Sequence, residues 1–176
     1  MLSILQLIVD AIATVLGGVL LLRFWMQAIR VRPPASVAQF TFTLSDWLVR
    51  PLRRLVPGVG GYDWASLIGA FLVVFLATSV LFLSGMPGVT VFLMALYRFL
   101  NWILYGFMAL LVVEAIFSWI NPQAPLAPLV RALNDPLLRP LRRVVPLVGG
   151  LDLSLLVALI LLQIAQLLLG MVFGFR

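Results

Sequence analysis

The chain has 176 residues, of which 64% are hydrophobic and only 10% charged, against about 25% charged in a soluble domain. Its formal net charge is +6, every one of its 12 cationic side chains is arginine, and it contains neither Cys nor His. These counts put it among integral membrane proteins and exclude disulfides, thiol nucleophiles, His-based metal sites and Ser-His-Asp catalysis.

In chain order, the first apolar run extends from about Ile4 to Trp25. No basic segment precedes it, so it reads as a spanning helix rather than a cleaved signal peptide. A basic connection of about residues 30–64 follows, then a second run of about residues 65–84, "ASLIGAFLVVFLATSVLFLS". Residues 89–100 are apolar but interrupted by Arg98. They either extend the third helix outward or lie at the membrane interface. The third run, about residues 102–120, reads "WILYGFMALLVVEAIFSWI". A second basic connection of residues 121–152 leads to the fourth run, about residues 153–173. Each run is long enough for a hydrocarbon core of about 30 Å at 1.5 Å per residue. Backbone polar groups must be satisfied inside lipid, so all four are expected to be helices.

The two connections spell nearly the same phrase, "RPLRRLVPGVGGYD" from Arg50 and "RPLRRVVPLVGGLD" from Arg139. Asp46, Arg50, Pro51, Arg53, Arg54 and Asp63 recur as Asp135, Arg139, Pro140, Arg142, Arg143 and Asp152, all at an offset of 89 residues. The unit of helix, basic connection and helix is therefore written twice, in residues 1–85 and 86–176. Two spans per unit return the chain to its starting side, so the repeats are parallel rather than inverted. Nine arginines fall in the connections, and only Arg98 and Arg176 lie on the opposite side. The positive-inside rule then puts both connections in the cytoplasm and both termini outside.

Within the first connection, Val37, Phe40, Leu44, Trp47 and Leu48 fall at helical spacing, and Leu126, Leu129, Leu133 and Leu137 do so in the second. Each reads as an amphipathic helix lying apolar side down on the inner leaflet. Asp46 and Asp135 precede Arg50 and Arg139 by four residues, the spacing of a helical ion pair. Pro51 and Pro140 are expected to interrupt these helices. The Gly60–Gly61 and Gly149–Gly150 pairs would supply turns. Asp63 and Asp152 stand where a side-chain oxygen caps a helix start.

These residues resemble the YggT family (called YlmG in some lineages) over nearly the whole chain. The resemblance rests on "DPLLRPLRRVVPLVGGLDLSLLVALILL", its echo "SDWLVRPLRRLVPGVGGYDWASLIGAFL", and "FSWINP" at residues 117–122. The first unit departs from the second in having Trp47 where the second has Pro136. The resemblance implies a small integral membrane protein without catalytic residues or a cofactor. It also implies an association with osmotic-shock tolerance and potassium handling, and in other relatives with division and assembly of membrane complexes.

Two groups of residues are candidates for function. Arg50, Arg53 and Arg54, and likewise Arg139, Arg142 and Arg143, sit at i, i+3, i+4, which on a helix puts three guanidiniums on one side. Three readings stay open: a topology signal, ion pairs with Asp46, Asp63, Asp135 and Asp152 that lock the connection, or a site for anionic lipid such as cardiolipin or for a membrane-protein partner. Nucleic acid is not an expected partner. Glu114 lies deep in the third span, where an acid is costly. Arg23 in the first span sits at nearly the same depth, so the two form a candidate intramembrane ion pair or, for Glu114, an ion or proton site. Asp10 reads as an outer-mouth residue, and Gly17, Gly18 and Gly106 as places of close helix packing.

The expected fold is thus all-α, with four transmembrane helices arranged as two parallel-repeated hairpins, each with an amphipathic cytoplasmic connection. Two functions follow. One is an oligomeric ion pathway or modulator in osmotic and potassium homeostasis. The other is a non-transporting scaffold that docks lipid and partners on its RPLRR phrases. With no nucleophile–base pair, an enzyme is not expected.

Overall fold

A computed structural model describes residues 2–145 and 152–174. Among the described residues six α-helices follow one another: α1 (Leu2–Ala28), α2 (Ala35–Leu55), α3 (Trp64–Ser79), α4 (Gly88–Ile120), α5 (Ala127–Arg142) and α6 (Leu153–Phe173), with a short 3-10 segment, Val80–Ser84, after α3. No strand occurs among the described residues; the turn before α3 carries a single antiparallel bridge between Val59 and Tyr62. Gly60 and Gly61 make that turn with φ of 70° and 82°, a region costly for other residues. Gly149 and Gly150 lie outside the described residues.

Among the described residues four stretches are long and apolar enough to cross a membrane: Ile4–Ala28, Trp64–Phe82, Gly88–Ile120 and Leu153–Phe173. The third is 33 residues long, about 50 Å of helix. Residues 89–100 therefore extend the helix. Its interruptions are satisfied: Arg98 binds Asp10 Oδ1 at 2.7 Å and Thr78 Oγ1 at 3.3 Å, and the Asn101 amide donates to the Tyr97 carbonyl at 3.1 Å.

The chain divides into two compact units. One comprises Met1–Arg30 and Ala35–Trp102, the other Val31–Pro34 and Ile103–Arg176, so the division falls inside α4. In the first unit α1 packs along α3, and α2 lies against both. Small residues allow the approach: a Cβ on Gly69 of α3 would sit 3.2 Å from Leu52 of α2. The start of α4 belongs here because Phe92 and Phe99 pack edge-on against Phe71, centroids 6.1 and 5.4 Å apart. In the second unit Leu111, Leu138, Ala158 and Leu162 form the core, flanked by Phe107, Met108 and Leu141.

The connecting helices differ from expectation in two ways. They run through Pro51 and through Pro136 and Pro140 instead of stopping there. Pro51 and Pro140 stand near the C-terminal ends, and each removes one i→i−4 hydrogen bond. Bonds beyond them still close, from Val56 N to Leu52 O at 2.8 Å and from Val145 N to Leu141 O at 2.8 Å. Their apolar sides also go different ways. α2 turns Thr41, Ser45 and Val49 inward and leaves Phe40 and Trp47 exposed. α5 buries Leu129, Leu133 and Leu138 within its own unit, so this face is not free to lie on a leaflet.

Candidate functional site

The charged residues gather where the connecting helices meet the long apolar ones. In the first unit the centre is Arg23, on the last turns of α1 and only 5% exposed. Its Nη1 donates to Asp46 Oδ1 at 2.7 Å and to Ser45 Oγ at 2.5 Å, and its Nε is 3.5 Å from Asp63 Oδ2. The Phe42 ring covers the guanidinium at 4.8 Å, a cation–π contact. Arg53 reaches over the turn to Asp63, with Nη2 2.6 Å from Oδ2 and Nε 3.2 Å from Oδ1. Ser66 Oγ donates to the same Oδ2 at 2.7 Å. Arg50 Nη2 binds Asp46 at 2.8 Å across one helical turn.

Electrostatics follow from these contacts. The hydrogen bond from Arg23, helped by Arg50, holds the Asp46 carboxyl below the ordinary carboxylate range. Burial pushes Asp63 up, but hydrogen bonds from Arg53 and Ser66 outweigh it and the carboxyl is also held low. The same bonds keep the Arg53 guanidinium still more firmly charged.

In the second unit the centre is Glu114 of α4, also 5% exposed. The Asn134 amide donates to Glu114 Oε2 at 2.7 Å and to the Leu110 carbonyl at 2.9 Å. Arg142 Nη2 donates to Glu114 Oε1 at 3.1 Å, and its Nε to Asp152 Oδ2 at 2.8 Å. Burial pushes Asp152 up, and bonds from Arg142 and Ser154 more than reverse this. Arg139 pairs with Asp135 at 2.5 Å, one turn back.

The partnership anticipated between Arg23 and Glu114 thus resolves into two sets of partners, each inside its own unit. Depth along a span had suggested the pair, but both charges lie within reach of the connecting helices, and polar groups there satisfy them first. Residues at the 89-residue offset do equivalent work. Arg53–Asp63 matches Arg142–Asp152, Arg50–Asp46 matches Arg139–Asp135, and Ser45 and Asn134 each bind the charge from the preceding long helix. That charge is positive in the first unit and negative in the second. Ser45 and Asn134 were missed from sequence, although their shared repeat position just before Asp46 and Asp135 marks them. Asp10 and Arg98 were also missed as a pair; each is a lone charge on the side away from the basic connections.

The capping role expected of the aspartates is met at one site. Asp152 Oδ1 accepts from Ser154 N at 3.0 Å, leaving Oδ2 to Arg142. Asp63 makes no side-chain cap bond, because both oxygens are taken by Arg53, with Ser66 Oγ sharing Oδ2.

Each arginine triplet is split three ways. Arg53 and Arg142 close on Asp63 and Asp152, and Arg50 and Arg139 pair within their own helices. Arg54 and Arg143 are exposed, with no ion-pair partner among the described residues. Arg30, Arg32 and Arg131 are likewise exposed and unpaired. Every one of the six acids in the sequence has an arginine partner. Beside the first network lies an open cleft of about 660 Å³, walled by Arg23, Arg50, Arg53, Asp46 and Asp63 and by Phe42 and Tyr62.

A family model for CCB3/YggT matches residues 1–84 and again 93–173. The chain belongs to the CCB3/YggT family. The Escherichia coli "Uncharacterized protein YggT" is 33% identical over 154 residues, covering 83% of this chain and 78% of that one. A Vibrio alginolyticus relative, "Uncharacterized protein in proC 3'region", is 33% identical over 165 residues, covering 89% and 88%. An uncharacterized Pseudomonas aeruginosa protein is 36% identical over 160 residues, covering 85% and 80%. No solved structure matches the chain. For this CCB3/YggT member the four apolar helices among the described residues are compatible with a multi-pass membrane protein.

Proposed function

We propose that the protein is a non-transporting scaffold of the bacterial inner membrane, with both basic connections on the cytoplasmic face, docking anionic lipid and membrane-protein partners through its unpaired arginines. One observation carries this reading. Ion pairing consumes two members of each arginine triplet and leaves Arg54 and Arg143, with Arg30, Arg32 and Arg131, exposed and without acidic partners among the described residues. Each such cation at the headgroup level contributes on the order of 1 kcal/mol of attraction to an anionic surface. The test is spin-label spectroscopy of the protein reconstituted with phosphatidylglycerol and phosphatidylcholine. The wild type selects phosphatidylglycerol at its lipid boundary, and the Arg54→Gln/Arg143→Gln double variant loses most of that selectivity. Unchanged selectivity would defeat the proposal.

A second reading, an oligomeric ion pathway serving osmotic and potassium balance, is favoured by the oxygen atoms around Glu114, where the fully buried Asn134 Oδ1 has no hydrogen-bond partner. Against it stands the engagement of Glu114 by Arg142 and Asn134. Potassium flux through proteoliposomes that disappears in Glu114→Gln, in a folded protein, would favour this second reading.

A further inference from the structure

We propose that the cleft of the first unit, where α1, α2 and the turn before α3 meet, is a specific site for a phosphate-bearing anion, its source the phosphodiester headgroup of an acidic phospholipid. The inference rests on the anionic-lipid reading above and adds to its exposed arginines one place of specific binding.

The charges argue first. Arg23, Arg50 and Arg53 line the cleft with Asp46 and Asp63, so three cations face two anions and the walls carry one uncompensated positive charge. A monoanionic phosphodiester neutralises it, whereas a cation would add to it. Donors are available without dismantling the pairs. Arg50 is engaged through Nη2 alone and its side chain is 78% exposed. Arg53 uses Nε and Nη2 on Asp63, which leaves its Nη1 unpaired. Arg23 is buried and held by Asp46, Ser45 and Asp63, so it contributes positive charge to the wall rather than a free donor. Guanidinium groups bind phosphate oxygens in a bidentate fork, and all three cations are arginine.

Size and surroundings argue next. A volume of about 660 Å³ exceeds the need of a bare phosphate and falls in the range of small-molecule sites, so a glycerophosphate headgroup has room. The half-exposed Phe42 forms an apolar wall and Tyr62 another, beside Trp64 with ring centroids 6.1 Å apart. Aromatic residues of this kind gather at the membrane–water boundary, where a headgroup passes into its acyl chains. The second unit offers no like balance: Glu114 and Asp152 share Arg142, which leaves a negative excess.

The test uses the full chain purified in a zwitterionic detergent. Phosphatidylglycerol, phosphatidylcholine or inorganic phosphate is added, and retained lipid is counted by native mass spectrometry beside a thermal melt. One phosphatidylglycerol stays bound per chain and phosphatidylcholine does not. Arg50→Gln weakens that retention about tenfold or more, as loss of charge-assisted bonds predicts. Arg139→Gln, the same charge change at the equivalent position of the second unit and outside the cleft, leaves it intact. Stabilisation by inorganic phosphate that depends on Arg50, without lipid retention, would keep the site and reassign its source to free phosphate. Equal effects of the two variants, or no response to either phosphate compound, would overturn the site. The scaffold reading fails separately, through unchanged boundary selectivity in Arg54→Gln/Arg143→Gln.

Discussion

Arg53 holds Asp63, 10 residues further on, with two of its nitrogens, at 2.6 and 3.2 Å, across the turn that joins α2 to α3. The carboxylate is almost wholly buried, its side chain 2% exposed, while the guanidinium is nearly half exposed. Breaking such a pair from one side leaves a charge without its counterion, which costs more than the pair itself contributes. Asp63→Asn is therefore expected to destabilise the protein by about 3 kcal/mol in denaturant titrations in micelles. Asp152→Asn should cost about 1 kcal/mol, because Asp152 is more exposed and Arg142 keeps Glu114.

Acid should unfold the protein through these same carboxylates. Asp46, Asp63 and Asp152 are held below the usual range in the folded state. Their contribution is complete above the unfolded value of about 3.9 and is lost as pH falls through the lower folded values, where the unfolded chain binds more protons. Melting temperature should be flat with pH above about 5 and drop below about 4, with a shallower drop in Asp63→Asn.

Glu114 and Arg142 should respond unequally to removal. Arg142→Gln strands a buried carboxylate, whereas Glu114→Gln leaves Arg142 with Asp152. The first is expected to cost more by about 1–2 kcal/mol, read from the same unfolding titrations. Equal costs would mean that Glu114 is not held as a charge by Arg142.

Two adjacent glycines of α1 should behave oppositely. A Cβ on Gly17 would lie 2.3 Å from the Trp102 ring, whereas a Cβ on Gly18 meets nothing within 4 Å. Gly17→Ala should destabilise by about 1–3 kcal/mol through overpacking. Gly18→Ala should be neutral or stabilise by up to about 1 kcal/mol through helix propensity. Thermal melts of the two variants decide this.

Much of the architecture was legible in the sequence, because long apolar runs can only be helices in lipid and because the 89-residue offset exposes matching positions. What was not legible depends on partners distant in the chain. The extension of α4 through Arg98 requires Asp10, 88 residues away, to take the charge. The sequence puts Arg23 and Glu114 on long apolar helices, but that does not say whether another span or a connecting helix supplies the partner. Helical spacing in the connections gave the right periodicity, and the apolar residues of α2 stay unburied, but those of α5 are taken into its unit. α2 turns small Thr41 and Ser45 inward where Arg23 must be met, while α5 turns leucines inward around Leu111. The capping role of Asp63 was lost to Arg53, a competition that no local pattern displays. The different fates of three arginines within one phrase are equally invisible without the acids folded back upon them.

On the proposed reading, neighbouring arginines in one phrase do different work: Arg53 and Arg142 hold the fold, and Arg54 and Arg143 meet the membrane. The most direct measurement compares two double variants, Arg53→Gln/Arg142→Gln and Arg54→Gln/Arg143→Gln, for unfolding stability and for phosphatidylglycerol selectivity in the same preparations. The account predicts that the first variant loses several kcal/mol of stability and that the second loses selectivity while its stability stays within about 0.5 kcal/mol of wild type. Identical behaviour of the two variants in both measurements would contradict it.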